Sequence, residues 1–271
     1  MKFLAKLQAS IARKKSNVCV GLDSRYDRIP DAFKNGAGVA ESILAFNTSV
    51  ISQTYQLAAA YKSNLAFYAG FGSDGLKGLE LTNRYLRQHH SDIPVLADCK
   101  RSEMGASVSL VKQEIIEWLK FDCVMVTPWF GFDTVEDYLD DPQIGVCVYV
   151  HDSNPSAAEF QELKLSSGQR LYEYVAERVA GHWNRNGNVF VEAGATYPWA
   201  LQRVRQIVGE EMVMLTAGVG AQGGKPEDLK GAFGRHGNAL LVNSSRGIIF
   251  ADDPAAAARE LQKQLDRCKE D

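Results

Sequence analysis

Short apolar runs alternate with longer amphipathic stretches along the chain. Four stretches place apolar residues on one face at helical spacing and predict helices: Val39 to Gln56, Met104 to Leu119, Gln169 to Trp183 and Pro254 to Leu265. The apolar runs predict eight strands: Val18 to Leu22, Leu57 to Tyr61, Pro94 to Ala97, Cys123 to Val126, Val146 to Val150, Val189 to Ala193, Met212 to Leu215 and Ala239 to Val242.

This alternation of strands and helices predicts parallel β/α units, because parallel neighbours need a crossover connection. Eight such units in 271 residues fit a closed (β/α)8 TIM barrel, with residues 1–271 in a single domain. No Pro/Gly/Ser-rich linker or abrupt change in composition divides the chain. The alternative is an open doubly wound sheet, which usually has fewer strands and a glycine-rich turn near the N-terminus.

Composition excludes several classes of partner. The chain has 30 Lys and Arg against 33 Asp and Glu, so it offers no basic field to a nucleic acid or an anionic membrane. No segment approaches 18 consecutive apolar residues and no signal-peptide core follows Met1, so we expect neither a membrane span nor export. Cys19, Cys123 and Cys147 lie in apolar runs without any CxxC pair, which indicates buried thiols and a cytoplasmic location.

Polar residues follow the predicted strands at the point where each strand ends. In (β/α)8 barrels the C-terminal strand ends carry the chemistry, so we expect these side chains to converge on one mouth of the barrel. The polar groups include Asp23, Lys62, Asp98, Lys100, His151 to Asn154, Thr196, the stretch 218–224 and Asn243 to Gly247.

Asp98 and Lys100 are the sharpest candidates for chemistry. Residues i and i+2 of a strand face the same side, so the carboxylate and the ammonium should enter the mouth together, with Lys62 in reach of the same carboxylate. A surface ion pair is the ordinary alternative, but the preceding apolar run favours a site. Glu103, near the next predicted helix, is either a further acid of this site or a carboxylate stabilised by the helix dipole.

The stretch 218–224 contains the pattern GxGxxG, which also occurs in dinucleotide-binding proteins. The pattern follows the seventh predicted strand, and the position about twenty residues later is Asn243 rather than an acid, so we do not expect NAD. The stretch instead predicts a backbone cradle for one phosphate, assisted by Gln222 and Arg246. For Gly223 and Gly224 individually, a tight turn that needs positive φ is the alternative.

Other reaction classes lack their sequence signals. Among the histidines only His151 lies at a strand end, and no HxH or HExxH spacing accompanies it, so no metal site is expected. No GxSxG elbow appears, which leaves covalent hydrolysis without support. The long loop from Asp152 to Gly168 has the length of a lid, with a disordered excursion as the alternative.

Seven sequence blocks together resemble the orotidine 5′-phosphate decarboxylase family in its longer bacterial form. The blocks run in the family order from residue 18 to about residue 251, although each is weak alone. They are Val18 to Asp23, Tyr61 to Tyr68, Asp98 to Arg101, Ser153 to Pro155, Gly194 to Pro198, Gly218 to Gly224 and Ser244 to Ile248.

The resemblance implies a barrel homodimer in which each active site borrows residues from the partner. It also implies decarboxylation of orotidine 5′-monophosphate (OMP) to UMP without a metal or an organic cofactor. The catalytic residues that it implies are Lys62, Asp98, Lys100 and Glu103. The substrate contacts that it implies are Asp23 for the ribose, Ser153 for the pyrimidine, Gln222, Arg246 and Gly247 for the phosphate, and also Asn64, Ser107 and Gly223.

The sequence departs from the family pattern around the predicted mouth. The departures are Glu103 for Asp, Met104 for Ile, Ser107 for Thr, Asp152 for Thr, Glu192 for an apolar or small residue, and Ala217 for Pro. Asp152 and Glu192 add negative charge where an anionic substrate is expected, which is electrostatically costly. Two other functions therefore stay open: a paralogue acting on another pyrimidine nucleotide, and a nucleotide-binding homologue without turnover. Retention of Lys62, Asp98 and Lys100 speaks against the latter.

Overall fold

The computed structural model describes residues 1–34, 36–220 and 222–269. Within these residues eight parallel strands close into a barrel, each pairing with the next along the chain and the last with the first. The strands are β1 (Val18–Gly21), β2 (Ala60–Asn64), β3 (Val95–Arg101), β4 (Cys123–Val126), β5 (Gly145–His151), β6 (Val189–Ala193), β7 (Met214–Ala217) and β8 (Leu240–Ser244). The predicted (β/α)8 barrel is confirmed, and the open sheet is excluded.

Helices connect the strands and cover the outside of the barrel. They are α1 (Phe3–Lys14), α2 (Val39–Thr54), α3 (Ala66–Ala69), α4 (Gly72–His89), α5 (Ala106–Lys112), α6 (Asp133–Leu139), α7 (Ala158–Gln161), α8 (Leu171–Arg178), α9 (Pro198–Val208), α10 (Arg246–Ile249) and α11 (Pro254–Lys269). π-Helical segments, Gln113–Trp118 and Val179–Trp183, continue α5 and α8. The four predicted helices correspond to α2, α5, α8 and α11 with these continuations. Over the described ranges, no helix combines the length and apolarity needed to cross a membrane.

Some predicted strand boundaries were wrong in one direction. The predicted strands Leu57 to Tyr61 and Met212 to Leu215 begin too early, because β2 and β7 start at Ala60 and Met214. β3 likewise continues past its apolar run as far as Arg101. The apolar runs include residues that precede these strands and omit the polar residues at their C-terminal ends, so the predicted strands lie too far towards the N-terminus. The strands themselves continue into the polar mouth. Functional side chains therefore lie on the strands, where backbone pairing holds them.

Helix α1 seals the N-terminal end of the barrel, which we call the closed end. Its residues Phe3, Leu7 and Ile11 are buried, and the Phe3 ring stacks on Phe190 of β6 with 5.8 Å between the centroids. A Cβ atom on Gly145, the first residue of β5, would lie 2.3 Å from the Phe3 ring. The packing at this end therefore requires a glycine there, and only the opposite end of the barrel is left for a ligand.

Candidate active site

A cavity of about 710 Å³ lies at the C-terminal ends of the strands. This is the mouth on which the polar side chains were predicted to converge. Predicted site residues that line it are Asp23, Lys62, Asn64, Asp98, Lys100, Ser153, Gln222 and Arg246. The structure therefore brings together most of the residues that the sequence indicated, from six different strands and the loops that follow them.

Asp98 is the centre of a charged array at the bottom of this cavity. The Lys62 Nζ lies 2.7 Å from Asp98 Oδ2, and the Lys100 ammonium donates to Asp98 Oδ1. The Tyr149 hydroxyl also donates to Oδ1, over 2.6 Å. Asp98 and Lys62 are buried, whereas half of the Lys100 side chain is exposed. Lys100 is therefore the cation of the array that a ligand can reach most easily.

Burial and charge act in opposite directions on the buried pair. Burial disfavours the ionised form of Asp98, but Lys62 and Lys100 outweigh it and hold the pKa of Asp98 well below its usual value. Burial likewise opposes the charge on Lys62, but Asp98 and Asp23 raise the pKa of Lys62 above its usual value. Both members of the pair are therefore ionised at neutral pH.

The backbone of β3 is irregular where it carries the array. The register between β3 and β4 shifts between Ala97 and Arg101, and Lys100 has a φ angle of 50°. Residues other than glycine rarely adopt this left-handed conformation, and such irregularities cluster at functional sites. The predicted contact between Asp98 and Lys100 is present, although the strand does not alternate regularly at that point.

Other predicted ligand residues lie around the rim of the cavity. Asp23 Oδ1 accepts a hydrogen bond of 2.9 Å from the backbone N–H of Asn64, which fixes the carboxylate beside β2. Arg246 begins α10 and lines the cavity together with Arg25 and Arg28. These last two arginines were not predicted from the sequence, although both lie in the segment between β1 and α2. Arg25 is paired with Asp27, whereas Arg28 lies over the Phe250 ring, so Arg28 adds positive charge to the rim that the sequence blocks did not indicate.

The glycine-rich turn after β7 is closed by its own hydrogen bonds. The Gly223 N–H donates to the Gly220 carbonyl over 2.9 Å, and Gly223 has a φ angle of 95°. Both facts fit the tight-turn interpretation and leave this N–H unavailable to a phosphate in this conformation. Gly223 and Gly247 are not among the described residues that line the cavity. Ala221, within the same turn, lies outside the described residues.

Glu103 and Ser107 also stand apart from the described lining of their own chain's cavity. Glu103 is half-buried in the loop between β3 and α5, and Ser107 is exposed in the first turn of α5. Because α5 begins only at Ala106 and has no acid in its first turn, the helix-dipole interpretation of Glu103 does not apply.

Two further groups, Tyr149 on β5 and Glu192 on β6, are partners in the strand register and line the cavity. The Glu192 residue is only 5% exposed, and its Oε2 atom has no hydrogen-bond partner in the described chain. Burial raises the pKa of Glu192 well above its usual value, and Asp152 and Asp98 raise it further. Burial beside other carboxylates therefore favours the protonated form of Glu192. Tyr149 was missed because it lies within the apolar run of β5.

The loop after β5 is ordered by its own polar contacts. The Gln161 side-chain amide accepts from Asp152 N over 2.8 Å and donates to Asp152 Oδ2 over 2.6 Å. The loop contains the short helix α7, so the alternative of a disordered excursion is wrong. His151 is fully buried, with Nε2 3.3 Å from Glu162, and packs against Tyr172, Tyr197 and Trp199. Asp152 thus fixes the loop through Gln161, and the buried His151 side chain contacts Glu162 of the same loop.

The chain is similar to known proteins over most of its length. The family sequence profile described as orotidine 5′-phosphate decarboxylase / HUMPS family matches residues 16–261 of this chain. An orotidine 5′-phosphate decarboxylase from Janthinobacterium sp. (strain Marseille) is 37% identical over 268 residues, which cover 96% of this chain and 95% of that protein. One from Thermomicrobium roseum is also 37% identical, over 280 residues, covering 100% of this chain and 97% of that protein.

Among solved structures, the Leishmania donovani OMP decarboxylase is 32% identical to this chain. The two superpose with a TM-score of 0.87, and the match covers 99% of each chain. The similarity in sequence and the similarity in structure therefore both extend over nearly the whole chain. The protein belongs to the orotidine 5′-phosphate decarboxylase / HUMPS family.

Proposed function

We propose that this protein is a cofactor-independent carboxy-lyase that converts OMP into UMP and carbon dioxide in pyrimidine synthesis. The observation that carries the proposal is Asp98, held between Lys62 and Lys100 inside a cavity rimmed by arginines. The relatives that carry the name orotidine 5′-phosphate decarboxylase support it.

In this reaction the bond between C6 of the pyrimidine and the carboxylate carbon breaks. Carbon dioxide leaves, and the electron pair stays on C6, where the ring delocalises it poorly. The Lys100 ammonium stabilises the developing charge and gives its proton to C6, which yields UMP, and Lys100 then regains a proton from water. The enzyme thus needs one positioned cation that is also an acid.

Asp98 and Lys62 position that cation. The two carboxylate oxygens of Asp98 are both engaged, Oδ2 by Lys62 and Oδ1 by Lys100 and Tyr149. Because these contacts exist before any ligand arrives, no reorganisation is needed as charge develops on the substrate. We assign Lys62 and Asp98 to this preorganised array and Lys100 to proton transfer.

Binding of the remainder of the nucleotide is assigned to the rim. We propose that Asp23 and Asn64 contact the ribose, Ser153 the pyrimidine, and Gln222 and Arg246 the phosphate. Gly223 and Gly247 directly follow these two phosphate residues in the sequence and flank the phosphate site from outside the described lining. Binding energy from the remote phosphate can be used to hold the reacting ring against Lys100. Arg28 adds to the positive charge on the same rim.

We further propose a homodimer in which Glu103 and Ser107 reach the partner's site. The proposal is supported by the position of Glu103 outside its own cavity. It is also supported by exposed apolar side chains in the loops after β3 and β4, which are Met104, Trp129 and Phe130. Exposed apolar groups of this size are typical of protein–protein contacts.

Mixing two inactive variants tests the shared site. Lys100→Ala and Glu103→Ala are each expected to be inactive, but a hybrid dimer contains one site with its own Lys100 and the partner's Glu103 intact. After denaturation and joint refolding, activity should return to roughly a quarter of the wild-type value, because half of the dimers are hybrids with one working site. A mixture that stays inactive would contradict the sharing of Glu103 between subunits.

We also propose that the chain is one domain and works in the cytoplasm. The matches to relatives cover 96% and 99% of this chain, which supports one domain. The thiols of Cys19, Cys99, Cys123 and Cys147 are free, which suits a reducing compartment.

A second candidate function is favoured by one observation. Glu192 places a buried acid in the cavity. A change of this kind in the cavity lining is expected of a paralogue that acts on another pyrimidine nucleotide. An ultraviolet assay of OMP loss, run beside a titration with UMP, distinguishes the candidates. Turnover of OMP selects the decarboxylase, whereas UMP binding without turnover selects the paralogue or a non-catalytic homologue.

A further inference from the structure

Glu192 is a buried acid of the cavity that the reaction described above does not use. It points inward from β6, beside Tyr149 on β5, and Tyr149 in turn contacts Asp98. Its Oε2 atom is buried and lacks a hydrogen-bond partner within the described part of the chain. An unpaired buried polar atom costs about 1–3 kcal/mol, so an atom in that state beside a cavity points to a ligand as its missing partner.

The surroundings of Glu192 determine what it can offer to that ligand. The titratable groups that act on it are Asp152 after β5, Tyr149 and Cys147 on β5, Asp98 and Lys100 on β3, and Lys62 on β2. Both ammonium groups are already engaged by Asp98, and neither is a hydrogen-bond partner of Glu192. An ionised Glu192 would be a buried anion near two other carboxylates, so the acid stays protonated. It therefore offers an O–H donor.

The acceptor that best matches a buried O–H is an anion, because a charge-assisted hydrogen bond is roughly twice as strong as a neutral one. The proposed substrate carries two anionic groups. Its phosphate is assigned to Arg246 and Gln222 on the rim, whereas its carboxylate belongs beside Lys100 in the charged array. Tyr149 contacts both Asp98 and Lys100 of that array and is the strand-register partner of Glu192. Only the carboxylate is therefore suitably placed to accept from Glu192.

We propose that Glu192 is a specificity-determining residue whose protonated carboxyl group donates a hydrogen bond to the carboxylate of the substrate. This inference rests on the proposed decarboxylase function. The bond favours nucleotides that carry a carboxylate over those that lack one. It weakens as the carboxylate becomes neutral carbon dioxide, so it contributes to substrate binding and not to lowering the barrier.

Two substitutions at Glu192 separate this role from a structural one. Glu192→Val removes the donor, and Glu192→Gln keeps an N–H donor of similar size without an ionisable group. Glu80→Gln is the matched control, since Glu80 is a buried acid on α4 that pairs with Lys77 and Arg84 outside the barrel. Thermal melting of each variant checks that the fold is retained.

Binding is measured first, in a Lys100→Ala background that is expected to bind OMP without consuming it. Titrations with OMP and with UMP give the affinity ratio of the carboxylate-bearing and carboxylate-free nucleotides. Adding Glu192→Val should weaken OMP binding about tenfold or more while leaving UMP binding unchanged, and adding Glu192→Gln should restore most of the OMP affinity. An equal loss for both nucleotides, or no loss for either, overturns the inference.

Turnover is measured second, with Lys100 intact. Glu192→Val should raise the KM for OMP without lowering kcat, whereas Glu80→Gln should change neither. A fall in kcat at unchanged KM would overturn the role in binding. Because the titrations do not depend on turnover, a wild-type protein that fails to convert OMP would contradict the proposed function, while the affinity ratio would still decide the role of Glu192.

Discussion

The two ends of the barrel interior are built from opposite kinds of side chain. At the closed end Phe3, Leu7 and Ile11 of α1 pack on apolar strand residues such as Phe190. At the mouth the same strands carry Lys62, Asp98, Tyr149, Glu192 and Asn243. One closed sheet therefore has an apolar end and a charged end, and the change occurs within two residues along a strand, as between Phe190 and Glu192.

The residues that stabilise the fold therefore lie at one end of the barrel, and the residues proposed to carry the chemistry lie at the other. Close packing of apolar groups at the closed end stabilises the fold. At the mouth, Glu192 Oε2 and Asn243 Oδ1 are buried without hydrogen-bond partners in the described chain, which destabilises the fold by about 1–3 kcal/mol for each atom. Substitutions at the closed end should thus change stability and spare activity, and substitutions at the mouth should do the reverse.

The largest effect is expected for Lys100→Ala at the mouth. The variant removes both the positioned charge and the proton donor, so kcat should fall by about 10⁴-fold or more, while UMP binding stays measurable. Its melting temperature should change little, since half of the side chain is exposed. Initial-rate kinetics and a UMP titration check this. If the variant kept a kcat near the wild-type value, the role assigned to Lys100 would be wrong.

The opposite result is expected for Phe3→Ala at the closed end. Loss of the buried ring should reduce the free energy of unfolding by about 3–5 kcal/mol and leave kcat for OMP unchanged at temperatures where the variant is folded. Denaturant titration measures the loss. Leu163→Ala, which truncates a side chain that is 53% exposed, is the control and should change stability by less than about 0.5 kcal/mol. A drop in kcat without a loss of stability would contradict the division between the two ends.

A smaller effect is expected for Arg246→Ala on the rim. Because its guanidinium is assigned to the phosphate, the affinity for UMP should fall by about 10- to 100-fold, while the weaker affinity for uridine should not change. Calorimetric titrations of both ligands give the comparison. Arg13→Ala is the matched control, because Arg13 pairs with Asp92 on the protein surface. An equal loss for UMP and uridine would remove Arg246 from the phosphate site.

The smallest effect is expected for Glu103→Asp. Glu has one methylene more than the Asp usual in the family, and a displacement of about 1 Å can cost on the order of 10²-fold in rate. If the extra length impairs a decarboxylase, the substitution should raise OMP turnover by up to about 10-fold. If the site is adapted to Glu for another nucleotide, turnover should stay low, and the paralogue would gain support.

The sequence predicted the barrel because eight apolar runs and the helical stretches between them have distinct periods. It also predicted the contact between Asp98 and Lys100, since both follow directly on a buried run. It could not predict where β2 and β7 begin, because buried apolar residues such as Ala59 and Val213 precede these strands and continue the same pattern. Nor could it place Glu103, whose position depends on where α5 begins.

The hydrophobic pattern of the sequence also could not assign residues whose roles depend on tertiary contacts. Tyr149 lies in an apolar run, and only the closed barrel shows that its hydroxyl meets Asp98 on β3. Gly223 fits a phosphate cradle in sequence, but the structure shows its N–H donating within its own turn. Periodicity reports burial along one strand, whereas these roles depend on which atoms neighbouring strands and loops bring together.

Proton magnetic resonance of OMP incubated with the enzyme in deuterium oxide tests the central claim most directly. The Lys100 ammonium exchanges its protons with solvent, so the proton that it delivers to C6 is replaced by deuterium. If Lys100 is the proton donor, the wild-type enzyme yields UMP that carries deuterium at C6 together with an equal amount of carbon dioxide, and Lys100→Ala yields no product. OMP that stays unchanged while UMP binds to the same site, or a product that retains the carboxylate, would contradict the central claim.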